Sequence, residues 1–472
     1  MSMPIRTLGA MAALVLLMTA CNGGDNPVVG DADSTTEEAA PADTAPSTED
    51  AEATEDTEDT ASPEATEADE PEGDAGGEVA TGAGITEEPC PAAVNPDNGC
   101  IYLASMSDLT VGPFAAQGPQ IVSAVNAFWQ RVNTDGGIAG YDVDSTEYTR
   151  DHQYSPEVAS QIYREISGDV LAIGHLLGSP IGVAIEPFLE QEDVLAVPGT
   201  WTSEWLFSPN ILESGSTYCA DAMNAVDRAI GEGDVTTVMA IHYPGDFGDD
   251  GAAGTRVAAE ANGLEFIDVP TTPGADNQGE AISRLVNDDP DMVLMSISPG
   301  DLGAIVGTAA AQGYEGQIYA QAPAFNEGLL DSPVSDLLQE RVVFALPWNT
   351  IASEAPGTQA FIEAMGAEAN TTGFAGWVWS YPLLEVLRAA AESGDLTRAG
   401  LIAAAGTIES VDYEGILPEG AGNIAGDPND AAVRSTTFAK LDASQEFLVT
   451  ELETGYTGPT AESYDFQAAC YA

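Results

Sequence analysis

Three imidazoles, His152, His175 and His242, are the only side chains here that commonly serve as bases near neutral pH. None stands in a Gly-x-Ser-x-Gly or His-Glu-x-x-His setting, the spacings that bring a nucleophile or a zinc-bound water within reach of a base. His175 and His242 each close a predicted strand, where a ring hydrogen-bonds to a loop. Asp246-Phe247-Gly248 reproduces the magnesium tripeptide of kinases, yet no glycine-rich loop or lysine-bearing strand precedes it. It reads as the turn after a strand. Asp427, Asn429 and Asp430 are calcium-ligand types without the glycine and terminal glutamate of an EF-hand loop, and read as a solvated acidic loop. The sequence predicts no catalytic residue, no metal site and no cofactor; it does not read as an enzyme.

Cysteine carries more information. Arg6 is followed by an apolar run from Leu14 to Met18 and by the small residues Thr19 and Ala20 before Cys21. This is the layout of a signal peptide over residues 1–20 with its cleavage site. The run is shorter than the about 20 apolar residues of a spanning helix. Leu17-Met18-Thr19-Ala20-Cys21 resembles the bacterial lipobox, with Met18 in place of the more usual leucine. The resemblance implies that Cys21 is lipidated and becomes the new N-terminus, and two acyl chains suffice for stable anchoring. The expected location is extracytoplasmic, on the cell membrane through a lipid anchor. Cys90, Cys100, Cys219 and Cys470 remain; four cysteines allow three pairings, and an oxidising compartment favours disulfides. Closeness in sequence favours Cys90 with Cys100, leaving Cys219 with Cys470 to tie the C-terminus down.

Acidic residues number 77 against 12 basic ones, a formal net charge of -65, which makes nucleic acid and anionic lipid surfaces poor partners. After Cys21, the stretch to residue 88 consists mostly of Ala, Thr, Glu, Asp, Pro, Ser and Gly without a basic residue. Such a composition does not bury enough surface to fold. Its like charges extend it beyond the roughly 5–6 Å times √n of a neutral flexible chain, so residues 21–88 read as an acidic tether.

From Ile101 onward, apolar runs alternate with amphipathic ones. Ile101 to Met106 reads as a strand and Pro119 to Thr134 as a helix, with Ile121, Val122, Val125, Phe128, Trp129 and Val132 on one side and Gly136-Gly137 as its stop. Strands follow at 170–173, 194–197, 236–242, 292–296 and 342–346, with helices at 181–190, 252–262, 279–287 and 302–312. The alternation implies an α/β class with parallel sheets covered on both faces. The length exceeds one ordinary core, so two α/β lobes are expected.

Gly112-Pro113, then Asn133-Thr134-Asp135-Gly136-Gly137-Ile138, Ile173-Gly174-His175 and Pro198-Gly199-Thr200 form an ordered set. Together with the late helix pattern from Phe374 to Leu387, this set resembles the type I periplasmic binding proteins of the branched-chain amino acid group. The resemblance covers roughly residues 101–455. It implies two Rossmann-like lobes joined by a three-crossover hinge, within a binding domain spanning 89–455. Lobe 1 would take about 101–215 and 347–415, lobe 2 about 216–346 and 416–455, and 456–472 would be a C-terminal extension.

In open parallel sheets ligands bind beyond the carboxyl ends of the strands, here the loops after Met106, Ile173, Val197, Ile241 and Ser296. The family's first-lobe contacts fall on Gln117, Gly178, Ser179, Gly199, Thr200 and Trp201. Its second-lobe contacts fall on Phe247, near Pro299, and around Ala322 to Phe325. Amino-acid binders of the family place an acid in that last loop to pair with the ligand ammonium, and Ala322, Pro323 and Ala324 offer none. Glu327 or Asp301 would have to compensate, because a buried ammonium without an anion is costly; otherwise the ligand is less polar. Trp201, Trp205, Tyr243, Phe247 and Phe325 are expected to make the cleft aromatic.

Two functions follow from the resemblance. The first is capture of a small ligand, a branched-chain amino acid or amide, for delivery to an ABC permease by hinge closure. The alternative is a ligand-sensing receptor lipoprotein of the same fold. Fold alone does not choose between them.

Overall fold

The computed structural model describes residues 79–245 and 247–472. The expected signal peptide, Cys21 with its lipid, and the tether up to residue 78 lie outside the described residues.

The first lobe is built on β1 (Gly99–Ser107), α1 (Gly118–Thr134), β2 (Tyr141–Asp151), α2 (Pro156–Ile166), β3 (Ala172–Leu176), α3 (Ser179–Glu192) and β4 (Ala196–Pro198). β2 and β3 flank β1, and β4 pairs with β3, all in parallel. β1 is buried along nearly its whole length, as a central parallel strand covered by helices must be. The apolar side of α1 is buried as its spacing predicts, and Gly136 and Gly137 end it with φ of 111° and 76°, backbone that favours glycine. Ser155 caps α2 by accepting from the Val158 N–H.

The second lobe follows with α4 (Tyr218–Glu232), β5 (Thr237–His242), α5 (Phe247–Asn262), β6 (Glu265–Pro270), α6 (Gly279–Asp288), β7 (Met292–Ser296), α7 (Pro299–Ala311), β8 (Gln317–Gln321), α8 (Ser335–Arg341) and β9 (Val342–Leu346). The chain then returns to the first lobe for α9 (Pro356–Met365), α10 (Thr371–Glu392) and α11 (Arg398–Ala405). Here α9 and α10 pack on α1, and α10 also covers β3 and β4. It finishes in the second lobe with β10 (Thr436–Leu441) and β11 (Val449–Tyr456). The second sheet runs β11-β10-β9-β8-β7-β5-β6, parallel except that β10 is antiparallel to both its neighbours. The three passages between lobes touch at Ser216, whose N–H donates to the Pro347 carbonyl at 3.3 Å and which bridges Val433.

Three stretches depart from the boundaries expected from sequence. Ala80–Thr81 pairs with Asp395–Leu396, and Ile85–Thr86 pairs with β1, so the end of the stretch expected to be tether belongs to the fold. Existing strand edges supply those backbone bonds, which composition does not register. Residues 416–425 stay with the first lobe, where Val411 N–H donates to the Ala421 carbonyl and Ala425 N–H to that of Ile408. The C-terminal stretch is fixed to the second lobe: Pro459–Ser463 packs on α4 and Cys470 is bonded to Cys219. Cys90 is bonded to Cys100.

Candidate functional site

A cleft lies between the lobes at the carboxyl ends of their strands. Its free space, with the open solvent at its mouth included, is ≈ 790 Å³. Gln117, Gly178, Gly199, Thr200, Trp201, Phe247 and Phe325, all expected from sequence, line it; Ser179 does not. Ser179 opens α3, with its hydroxyl buried and lacking a hydrogen-bond partner. Gly178 has φ 105°, and a Cβ there would come within 2.7 Å of the Tyr154 ring. A side chain at this position would therefore close that wall of the cleft.

The lining is aromatic. Trp201 lies 4.8 Å from Trp379 and 5.1 Å from Trp348 between ring centroids, Phe247 5.2 Å from Tyr218, and Phe114 of the first lobe 6.1 Å from Phe247 of the second. These separations fall in the favourable range for ring pairs. Trp205 and Tyr243, also expected in the cleft, stand outside its lining. Trp205 donates its indole N–H to Thr200 Oγ1 at 3.0 Å from behind. Tyr243 donates to Asp301 and is bonded to Ser298. The sequence reading missed Phe114, Tyr154, Tyr218, Trp348, Phe374 and Trp379; the last two fall within the late helix pattern it had noted.

The polar side chains that line the cleft, among them Gln117, Tyr154, Thr200, Tyr218, Thr371 and Thr372, are all uncharged. Gln117 Nε2 donates across the lobes to the Phe325 carbonyl at 3.0 Å and the Pro323 carbonyl at 3.3 Å, while its Oε1 is buried with no partner. The Trp379 indole N–H is likewise buried and unpartnered. Among the described residues, no Asp, Glu, Lys, Arg or His lines the cleft.

The two carboxylates named from sequence as replacements for the missing second-lobe acid are committed elsewhere. Asp301 accepts from Tyr243 OH, Gly274 N–H and Gln278 Nε2. Glu327 accepts from the Thr372 N–H and hydroxyl, a second bond between the lobes. Both acids are held by donors from elsewhere in the chain, and neither lines the cleft.

The histidines are structural neighbours of the cleft. The His175 ring lies 5.9 Å from that of Trp379, tilted by 31°, with Nε2 3.3 Å from Ser107 Oγ. Burial lowers its pKa to about 3 and that of His152 to about 4, so both rings are neutral. His242 lies between Asp249 and Asp268, outside the cleft. Asp427 accepts from the N–H groups of Asn429 and Asp430 as a helix cap. Among the described residues, the cluster Cys219, Asp250 and Cys470 has metal-ligating types, but its sulfurs are joined in the disulfide.

Residues 101–446 match the family of periplasmic binding proteins. The chain belongs to that family. No curated protein matches it. Among solved structures, this periplasmic binding protein is similar to a fatty acid ABC transporter substrate-binding protein from Thermomonospora curvata. Identity is 26%, coverage is 82% of this chain and 97% of the other, and the TM-score is 0.73. It also resembles a branched-chain amino acid ABC transporter protein from Thermus thermophilus with bound valine, at 14% identity, 77% and 98% coverage and a TM-score of 0.67. An R. palustris solute-binding protein in complex with 4-hydroxybenzoate matches at 17% identity, 76% and 98% coverage and a TM-score of 0.64. The type I periplasmic binding fold expected from the glycine and proline set is therefore the fold of this protein.

Proposed function

We propose that the protein is the lipid-anchored solute-binding component of an ABC importer, taking a ligand with an apolar or aromatic body and one uncharged head. The absence of any charged side chain from a cleft walled by aromatic rings carries this reading. An amino acid would bring an ammonium into a site with no anion, at a cost of several kcal/mol. A long hydrocarbon or ring meets apolar surface at about 25 cal/mol per Å² buried. The unpartnered acceptor Gln117 Oε1 and donor Trp379 Nε1 suit a head that both donates and accepts, such as an amide or a protonated acid. The likeness to a fatty acid binder supports the same ligand class.

Gln117 and Glu327 join the lobes across the cleft mouth, the contacts expected of a closed state. Ligand binding on the first lobe, followed by rotation of the second onto it, is a shift of population toward that state. The closed form then presents both lobes to an ABC permease. Cys21 and its lipid hold the protein at the outer face of the membrane, and the acidic tether gives it reach.

Tryptophan fluorescence of the purified chain tests the ligand class. Octanamide, and octanoate below about pH 5 where the protonated acid is abundant, should change the emission saturably, and valine should not. Saturable binding of valine with no response to either octyl compound refutes the assignment.

A further inference from the structure

A second pocket opens beside the crossovers, with free space of ≈ 1040 Å³ including its mouth. Its walls come from residues 205–215 and 422–433, the first and third passages between the lobes. They are mostly apolar, among them Trp205, Ile211, Ile424 and Val433, and Phe207 at 39% exposure forms an apolar lip.

Glu213 lines this pocket, both its carboxylate oxygens are buried, and neither has a hydrogen-bond partner. Buried carboxylates are normally bonded to donors or paired with a cation. Asp250, a few residues into α5, accepts from Ser203 and from the Cys219 N–H and shows what a structurally employed acid looks like here. Among the described residues, Glu213 has no such donor and no Lys, Arg or His lines the pocket. The titratable groups that act on it are Asp250 and Tyr413, and the Asp250 charge adds to burial in pushing the Glu213 pKa well up. Asn423 Oδ1, a second buried acceptor without a partner, lines the same pocket. The Ser214 hydroxyl, also buried and without a partner, lines the pocket too and can donate or accept; what the described lining lacks is a positive charge, and that is what an ammonium or guanidinium carries.

We propose that this pocket binds an organic monocation, an ammonium or guanidinium head on an apolar body, with Glu213 as its counter-charge. The apolar walls take the body, and a bare metal ion would leave them uncovered. Because the walls belong to two crossovers, an occupant bears on the hinge. Any difference in its affinity between open and closed states then couples reciprocally to ligand affinity in the cleft.

Calorimetric titration of the full chain with hexylamine, hexylguanidine and 1-hexanol near pH 8 tests the site. At least one of the two cations should bind saturably and 1-hexanol should not. The cation that binds identifies the head group. E213Q should weaken that binding at least ten-fold while leaving the octanamide response of the cleft intact. A431W, which fills the pocket from a half-exposed lining position, should do the same if E213Q does not fold. Absence of saturable binding by both cations, equal binding of the alcohol, or unchanged binding in the variants overturns the proposal.

Discussion

The cleft and the hinge beside it handle charge in opposite ways. The cleft excludes charge and relies on rings, whereas the hinge buries three carboxylates, Glu213, Asp221 and Asp250. Only a thin wall divides them: Gly215 lines the hinge pocket, and a Cβ on it would lie 2.9 Å from Trp348 and 3.1 Å from Trp201 Nε1. Asp221 on α4 accepts from the hydroxyls of Ser216 and Thr436, joining the first crossover to the start of β10. Asp250 accepts from Ser203 and Cys219, joining the segment before the first crossover to α4. Buried acids here set where the chain passes between lobes. The uncharged cleft is left free to recognise its ligand by shape and area.

The largest expected break in this contrast is Asp250→Ala. It strands three donors in the interior and should lower stability by about 3–5 kcal/mol, read as a fall in the denaturant midpoint. Octanamide affinity of the folded fraction should change little. Trp201→Ala tests the other side. Removing a ring that contacts two further tryptophans should weaken octanamide binding by about 100-fold, near 3 kcal/mol, while hexylamine binding in the hinge pocket persists. Equal losses in both pockets would show that they are not independent. Gln117→Ala removes the donor to the Phe325 and Pro323 carbonyls and should cost about 10-fold in octanamide affinity, seen mainly as faster release in stopped-flow fluorescence.

The smallest effect is in pH. Burial raises the Asp221 and Asp250 pKa to about 7, and that of Glu213 well above its usual range. An acid whose folded pKa is raised holds protons that the unfolded chain has lost, so its stabilisation is present at low pH and disappears as pH rises through the folded value. The depressed pKa values of His152 and His175 act in the opposite sense, between their folded values and about 6.5. Above about pH 6.5 the acids act alone. Tm should therefore fall between about pH 6.5 and 8.5, and E213Q should flatten that fall. Octanamide affinity should stay level over the same range, because no lining group of the cleft titrates there. A slope in octanamide affinity matching the Tm profile would tie the cleft to the hinge acids.

Much of this was legible in the residues. The apolar periodicity of α1 and the runs that became β7 and β9 gave elements with the expected limits, because burial on one or both faces imposes its own spacing. β2 was not legible: Asp142, Asp144, Glu147 and Asp151 disguise an edge strand as a polar stretch. Two of these acids are satisfied by partners distant in sequence, Asp142 by Asn95 and Asn98 and Asp151 by the Leu109 N–H. β10 and β11 carry too little pattern of their own and take their place from the exposed edge of β9. In the cleft, residues beside glycine and proline loops were found. Tyr154, Tyr218 and Trp348 were not, because their approach depends on how the two lobes face each other.

By itself, the sequence determined an α/β chain in two lobes and loops at strand ends that form a cleft, because periodicity and glycine positions follow from local sterics and burial. The missing acid at Ala322 to Ala324 was visible there too. Only the tertiary structure decided that Asp301 and Glu327 do not replace it, that Gln117 spans the lobes, and that Glu213 stands unpartnered beside the hinge. Whether a carboxylate is satisfied or waiting depends on donors brought in from far along the chain, and local spacing contains no record of them.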